Sequence, residues 1–203
     1  MDEKLSLNQL DVLRELGTVG AGRAATAFAE LIGLKVEITV PEASRVPLES
    51  ISRVLGDADR PFFVLDSQLE GEIQGRILLL FSPDDARGVA SILLGRDPNS
   101  INFDDIMVKS SLMECTNILS GSYITALVEM TNLNIISSVP HLAMDMVGAI
   151  LDFIFIQIAQ YSEKAFFIRT DLKIGDKKLE GLFFLFPEID SLQKIFNILN
   201  IKK

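Results

Sequence analysis

The chain contains one stretch in two versions, LRELGTVGAGRAATAFAELIGLKVEITVP (residues 13–41) and LMECTNILSGSYITALVEMTNLNIISSVP (residues 112–140), at an offset of 99 residues. The same residue type recurs at several matching positions, including the pairs Glu15 and Glu114, Gly22 and Gly121, Thr26 and Thr125, and Pro41 and Pro140. Two unrelated amphipathic helices would not share this many identities. We therefore interpret the chain as an internal repeat.

The repeat continues downstream of these stretches. PFFVLDSQLEGEIQGRILLLFSP (residues 61–83) matches AFFIRTDLKIGDKKLEGLFFLFP (residues 165–187), and each places turn residues between two β-rich runs, which is typical of a hairpin. Each half is predicted to contain, in order, a long helix (about 8–32 or 104–131), a short strand ending at Pro41 or Pro140, a second helical piece, the hairpin and a closing helix (83–94 or 188–199).

The two predicted repeats cover residues 8–95 and 104–200 and are joined by the linker GRDPNS (95–100). Neither repeat has enough strands to bury a core alone. We therefore expect one α+β domain over residues 1–203, with pseudo-twofold symmetry and with the long helices packed on an antiparallel sheet.

Composition narrows the function. The 203-residue chain carries a net charge of −9, which argues against a nucleic-acid or anionic-membrane partner. The single Cys115 cannot form an internal disulfide, and no signal peptide is recognisable at the start, so we expect a cytoplasmic protein. The apolar stretch 146–159 is too short for a membrane span and is predicted to be a buried helix.

A polar stripe follows each long helix. With 3.6 residues per turn, Ser110, Glu114, Asn117 and Gly121 share one face about 60° wide. Asp11, Glu15, Thr18 and Gly22 occupy the matching positions in the first helix, and the opposite, core-facing side is predicted to carry Leu13, Ala24, Phe28 and Leu31. An exposed Glu is usually only solubilising, but packing gives no reason for the set to recur, so function is the better interpretation.

Glycine and asparagine in the middle of a helix also need a reason. Asn is about 0.7 kcal/mol and Gly about 1 kcal/mol less favourable there than Ala. Gly20, Gly22 and Gly121 could serve close packing of the helix on its neighbours, or Gly121 could keep the polar face flat for a partner. The sequence leaves both explanations open.

Other chemistries find little support in the sequence. There is no glycine-rich phosphate loop, and one His with one Cys does not suggest a metal cluster. Cys115 points about 100° away from Glu114 on a helix. We therefore interpret Cys115 as a core thiol and not as a nucleophile.

These residues resemble the CheC, CheX and FliY family of chemotaxis phosphatases, whose motif is Asp or Ser, three residues, Glu, two residues, Asn, twenty-two residues and Pro. Ser110, Glu114, Asn117 and Pro140 meet this pattern. The first copy has Asp11, Glu15 and Pro41 at the same spacing, but Thr18 replaces the Asn. With two site copies and no recognisable additional domain, the arrangement resembles CheC more than FliY or CheX.

The resemblance implies a fold with internal pseudosymmetry and an enzyme that hydrolyses the aspartyl phosphate of a CheY-like response regulator. Asn117 would position the attacking water and Glu114 would contact the regulator's lysine, while Ser110 and Pro140 would be accessory. No cofactor of its own is expected, since the regulator brings Mg²⁺. The first site should be weak or silent, because a Thr hydroxyl is shorter than an amide.

Two alternatives stay open at this stage. The chain could be a non-catalytic adaptor that binds the phosphorylated receiver or the receptor deamidase CheD. It could also be a structural part of a flagellar switch, although an extra assembly domain would then be expected.

Overall fold

The computed structural model describes residues 7–160, 164–174 and 176–199. The first half contains α1 (Leu7–Ile32), β1 (Val36–Pro47), α2 (Ile51–Leu55), β2 (Pro61–Gly71), β3 (Gly75–Phe81) and α3 (Pro83–Leu94). The second half contains α4 (Ile106–Thr131), β4 (Ile135–Ser137), β5 (His141–Met146), α5 (Val147–Phe153), β6 (Lys164–Ile174), β7 (Lys177–Pro187) and α6 (Ile189–Ile198). The same order therefore recurs from α1 and from α4, except that two strands, β4 and β5, stand where the first half has the single strand β1.

The strands form one antiparallel sheet in the order β1-β6-β7-β3-β2-β4. β4 pairs with residues 69–71 of β2, and β5 pairs directly with residues 61–66 of the same strand. The first strand of each half joins the hairpin of the other half, since β1 pairs with β6 while β4 and β5 pair with β2. The two hairpins meet in the centre through β3 and β7. Because the halves exchange strands in this way, they form a single domain, as predicted.

The core lies on both faces of this sheet. Along β2, Phe63 and Leu65 belong to the cluster under α1, α3 and α4, whereas Phe62 and Val64 pack against α2 and α5 on the other side. Successive side chains of a strand point to opposite faces. The continuous apolar runs of the hairpins are therefore explained by burial on both faces.

Local signals set the ends of the helices. The hydroxyl of Ser82 accepts a hydrogen bond from the backbone N–H of Asp85 at 3.2 Å, which caps α3. The carboxylate of Asp105 caps α4 in the same way through Met107 N–H at 2.8 Å. Asn132 ends α4 with φ 56°, a left-handed conformation that Asn tolerates better than most residues.

Two predictions about these elements need correction. β1 does not end at Pro41 but continues to Pro47, with a bulge between Thr39 and Glu42. A proline lacks the N–H of a ladder bond, but β1 is an edge strand and the bulge absorbs the irregularity. Leu31 was predicted to face the core, yet 53% of it is exposed.

The apolar stretch 146–159 is only half-buried. It forms α5 and a following π-helical turn (Ile154–Ile158), in which Ile154 and Ile158 are buried while Phe155 and Ile156 face outward. Its prediction as a buried helix was therefore right for one face only. Among the described residues, no helix has both the length and the apolarity that crossing a membrane requires.

Candidate functional site

The polar face of α4 is exposed. Ser110, Glu114 and Asn117 reach solvent, whereas Leu112 and Leu119 on the other side of the helix are fully buried. The helical period therefore separates the two kinds of residue as predicted. A carboxylate and an amide are thus presented together on the outer surface.

Glu114 and Asn117 are neighbours one turn apart. Asn117 Nδ2 donates to Glu114 Oε2 at 3.5 Å, which is long for a hydrogen bond. An amide has an acceptor oxygen and two N–H donors, so the side chain of Asn117 retains most of its capacity for a ligand. The pair can bind a positive group and a water molecule at the same time.

Pro140 lies in the gap between β4 and β5 and is buried. Ser138, in the same gap, is held to β2 by two hydrogen bonds with Gln68, each 2.9 Å long. The backbone N–H of Ser138 donates to the Gln68 carbonyl oxygen, and the Ser138 hydroxyl accepts from the Gln68 N–H. β5, which begins directly after Pro140, contacts α4. A buried proline can shape the rim beside the helix but cannot itself be offered to a partner.

The first helix presents the altered copy of the site. Asp11, Glu15 and Thr18 are exposed on α1. The Thr18 hydroxyl donates to the carbonyl oxygen of Arg14 at 2.9 Å, so the side chain folds back onto its own helix. Pro41, the last member of this set, lies within β1, and its side chain is outside the described part of the chain.

The two long helices pack side by side. Gly20 of α1 faces Tyr123 of α4, and Val12 lines the same apolar crevice as Met130, so residue numbers rise along one helix as they fall along the other. An exposed ion pair between Arg23 and Glu129 also joins them. The helices are therefore antiparallel, and both site copies lie in one layer above the sheet.

Tyr123 anchors α4 to the sheet below. Its hydroxyl is 3.1 Å from Thr170 Oγ1 of β6, and its ring lies 4.6 Å from that of Phe183, centroid to centroid. Burial raises the pKa of Tyr123 to about 12, while the bond with Thr170 lowers it slightly. Sequence reasoning missed this residue, because one Tyr in an apolar stretch gives no sign of its partner.

The glycines of the helices fall into two groups. A Cβ on Gly20 would lie 2.2 Å from the Tyr123 ring, so this glycine permits close packing. A Cβ on Gly22 or Gly121 would have nothing within 4 Å. The packing explanation therefore holds for Gly20 and fails for the glycines of the two polar faces.

Ile106 is a further surface residue that sequence reasoning missed. It begins α4 and, eleven residues before Asn117, lies within about 20° of Asn117 around the helix. It is 78% exposed, more than the other large apolar residues of the described chain. The hydrophobic period could have revealed it, since an Ile stands one turn before the first residue of the polar stripe.

Cys115 is a core thiol, as predicted. It is fully buried, and its burial, with a smaller contribution from the Glu114 carboxylate, raises its pKa well above the usual range. The residue is therefore uncharged at neutral pH and is no nucleophile. Across the part of the chain that the structure describes, no three His, Cys, Asp or Glu side chains are grouped to hold a metal ion.

Comparison with known proteins places this fold among the chemotaxis phosphatases. Residues 67–151 match the family described as chemotaxis phosphatase CheX, and residues 9–45 match the CheC-like family. The chain is 32% identical to the CheY-P phosphatase CheC of Bacillus subtilis, over 93% of this chain and 92% of that protein. The chain therefore belongs to the CheC, CheX and FliY family of chemotaxis phosphatases.

Solved structures show the same fold. FliY of Thermotoga maritima superposes with a TM-score of 0.75 at 18% identity, covering 98% of this chain and 99% of that one. A chain of the CheX-CheY-BeF3-Mg²⁺ complex of Borrelia burgdorferi superposes with a TM-score of 0.52 at 15% identity, covering 87% of this chain and 97% of that one. At these identities the likeness establishes the fold alone.

Proposed function

We propose that this protein hydrolyses the aspartyl phosphate of a CheY-like response regulator, with Asn117 positioning the attacking water. One observation carries the proposal: in a chain of this family, Glu114 and Asn117 stand together on an exposed helix face. The relative from Bacillus subtilis is a CheY-P phosphatase, and the CheX of the solved complex is bound to CheY.

Hydrolysis of an aspartyl phosphate requires little from this protein beyond positioning the attacking water. The water oxygen attacks phosphorus in line with the bond to the aspartate oxygen; that bond breaks, the aspartate leaves as a carboxylate, and inorganic phosphate takes up the water. Asn117 Oδ1 accepts a hydrogen bond from the water and holds it on the axis of attack. Positioning of this kind is worth about 100-fold or more in rate.

Glu114 would fix the orientation of the docked regulator. Its exposed carboxylate, one turn before Asn117, is placed to pair with the lysine that a receiver domain carries beside its phosphorylated aspartate. Mg²⁺ at the phosphoryl group is expected to be held by the receiver. Ser110, one turn further out, would touch the partner only at the edge.

The first site is expected to contribute little or no hydrolysis. Thr18 offers a hydroxyl in place of an amide, and that hydroxyl is bonded to the Arg14 carbonyl. It cannot reach as far from the helix as an Asn side chain. Asp11 and Glu15 would still present negative charge to a receiver. A receiver could therefore dock weakly at the first site without being dephosphorylated there.

The decisive experiment follows the decay of a phosphorylated receiver with the wild-type protein, with Asn117→Ala and with Asn197→Ala. Asn197 is also exposed on a helix, α6, and provides the matched control. We expect the wild type and Asn197→Ala to accelerate decay equally, and Asn117→Ala to return it nearly to the receiver's own rate.

The same experiment tests the alternative function. If wild type and Asn117→Ala both bind the phosphorylated receiver but leave its decay at the receiver's own rate, the protein is a non-catalytic adaptor and the proposal is wrong. CheD, the other partner implied by the family, stays a prediction that co-purification can test.

A further inference from the structure

We infer that Gly121 is a docking residue: its missing side chain leaves room for the receiver's surface against α4 beside Asn117. The inference rests on the proposed function and concerns how the partner fits the site. It assigns a role to a residue outside the motif of Ser110, Glu114, Asn117 and Pro140.

Gly121 lies on the face that carries the site. Four residues after Asn117 and seven after Glu114, it is within about 40° of each around the helix and about 6 Å beyond Asn117 along it. A stable protein interface covers about 800 Å² on each partner, a patch roughly 30 Å across. A receiver whose phosphoryl group reaches Asn117 must therefore also cover Gly121.

Packing within the protein does not explain this glycine. A Cβ at position 121 would have nothing within 4 Å, whereas a Cβ on Gly20 or on Gly88 of α3 would lie 2.2 Å from Tyr123 or 2.4 Å from Leu179. Gly121 has an ordinary helical backbone without positive φ, so no turn requires it. The glycine therefore lowers the stability of the helix at this position, and no packing contact within the folded chain compensates for it.

The other end of the same face also looks like a contact surface. Ile106, eleven residues before Asn117 and within about 20° of it around the helix, is 78% exposed at the start of α4. Protein interfaces typically combine buried apolar side chains with polar contacts around them. An exposed Ile at one end and an unfilled glycine at the other are both suited to covering by a single rigid partner.

The test uses Gly121→Ala and Gly121→Leu in the full chain, with Asn197→Ala as the control for added helix propensity on a different helix, α6. Both Gly121→Ala and Asn197→Ala should raise Tm, by about 2 to 4 °C for the glycine variant. Gly121→Ala should lower kcat/KM for the phosphorylated receiver about tenfold and Gly121→Leu about 100-fold, mainly through KM. Asn197→Ala should leave kcat/KM and KM unchanged.

If Gly121→Ala raises Tm and at the same time raises KM, the role of Gly121 is in docking and not in the stability of the fold. If Gly121→Ala and Gly121→Leu keep the wild-type KM, the inference is overturned while the proposed function stands. If the effect falls on kcat alone at unchanged KM, the inference is also overturned, because lost clearance weakens docking. If the wild type itself does not accelerate decay, the proposed function fails first, and that result is read before either variant.

Discussion

The amide nitrogen of Asn117 lies 3.5 Å from the Oε2 atom of Glu114, one turn earlier on the same exposed helix face. The backbone of α4 sets this separation, and both residues are free of the core beneath them. The two side chains can therefore be assigned separate tasks, with the carboxylate orienting the partner and the amide holding water.

Replacing Glu114 by Gln should separate docking from chemistry. The substitution keeps the shape and removes the charge, so we expect KM for the phosphorylated receiver to rise about tenfold, which corresponds to about 1.4 kcal/mol. Saturating kcat should stay within about twofold of wild type. Added salt should weaken the wild type more than the variant. A collapse of kcat at unchanged KM would instead assign Glu114 the role of a general base.

Introducing Thr18→Asn into the Asn117→Ala protein should restore part of the activity. Asn at position 18 rebuilds the amide that the first copy lacks, beside the exposed Glu15. Thr26→Asn is the matched control, because Thr26 is also exposed on α1 and its hydroxyl also bonds to the carbonyl four residues earlier, at 3.2 Å. We expect receiver decay to accelerate at least about tenfold with Thr18→Asn and not with Thr26→Asn. Equal inactivity of both would show that the first site lacks more than an amide.

Alanine should have opposite effects at two glycines of α1. At Gly20 the new Cβ meets the Tyr123 ring at 2.2 Å, and overpacking should lower the free energy of unfolding by about 1 to 3 kcal/mol. At Gly22 nothing lies within 4 Å, and the better helix propensity should raise it by about 0.5 to 1 kcal/mol. Urea denaturation of both variants measures the difference. Equal changes would mean that α1 and α4 pack less closely than the structure indicates.

The buried thiol of Cys115 should make stability fall in mild alkali. Its folded pKa is raised, so the unfolded chain loses a proton first, and the folded state loses relative stability as pH rises above about 8.5. The slope should approach about 1.4 kcal/mol per pH unit by pH 9.5, before the buried Tyr123 contributes. Cys115→Ala should flatten this slope while lowering stability overall. A thiol reagent should label Cys115 only after unfolding, and rapid labelling of the native protein would contradict its burial.

Sequence reasoning located the helices well because local chemistry sets their ends. α3 runs from Pro83 to Leu94 as predicted, between a Ser82 cap and a left-handed Gly95. The exposed face of α4 followed from the helical period, and so did the outward position of Glu114 and Asn117. The roles assigned to these two residues stay predictions until activity is measured.

Strand pairing was beyond the reach of the sequence. The alternation of side chains shows which residues of a strand share a face, but it does not show which strands are neighbours. The pairing of β1 and β5 with the hairpin of the other half could therefore not be predicted from the sequence. The continuation of β1 past Pro41 was missed for a related reason, since a proline is tolerated only once the strand is known to be at an edge. Contacts such as Tyr123 with Thr170 depend on this pairing and were missed with it.

The pairing of β1 with β6 has a consequence for biosynthesis. At roughly 5 to 20 residues per second, the ribosome needs on the order of 10 s to make the chain between these strands. For that time the nascent β1 has no neighbour on either side, and its open backbone groups are available to other chains. Newly made protein should therefore be most vulnerable to aggregation just before its last hairpin emerges.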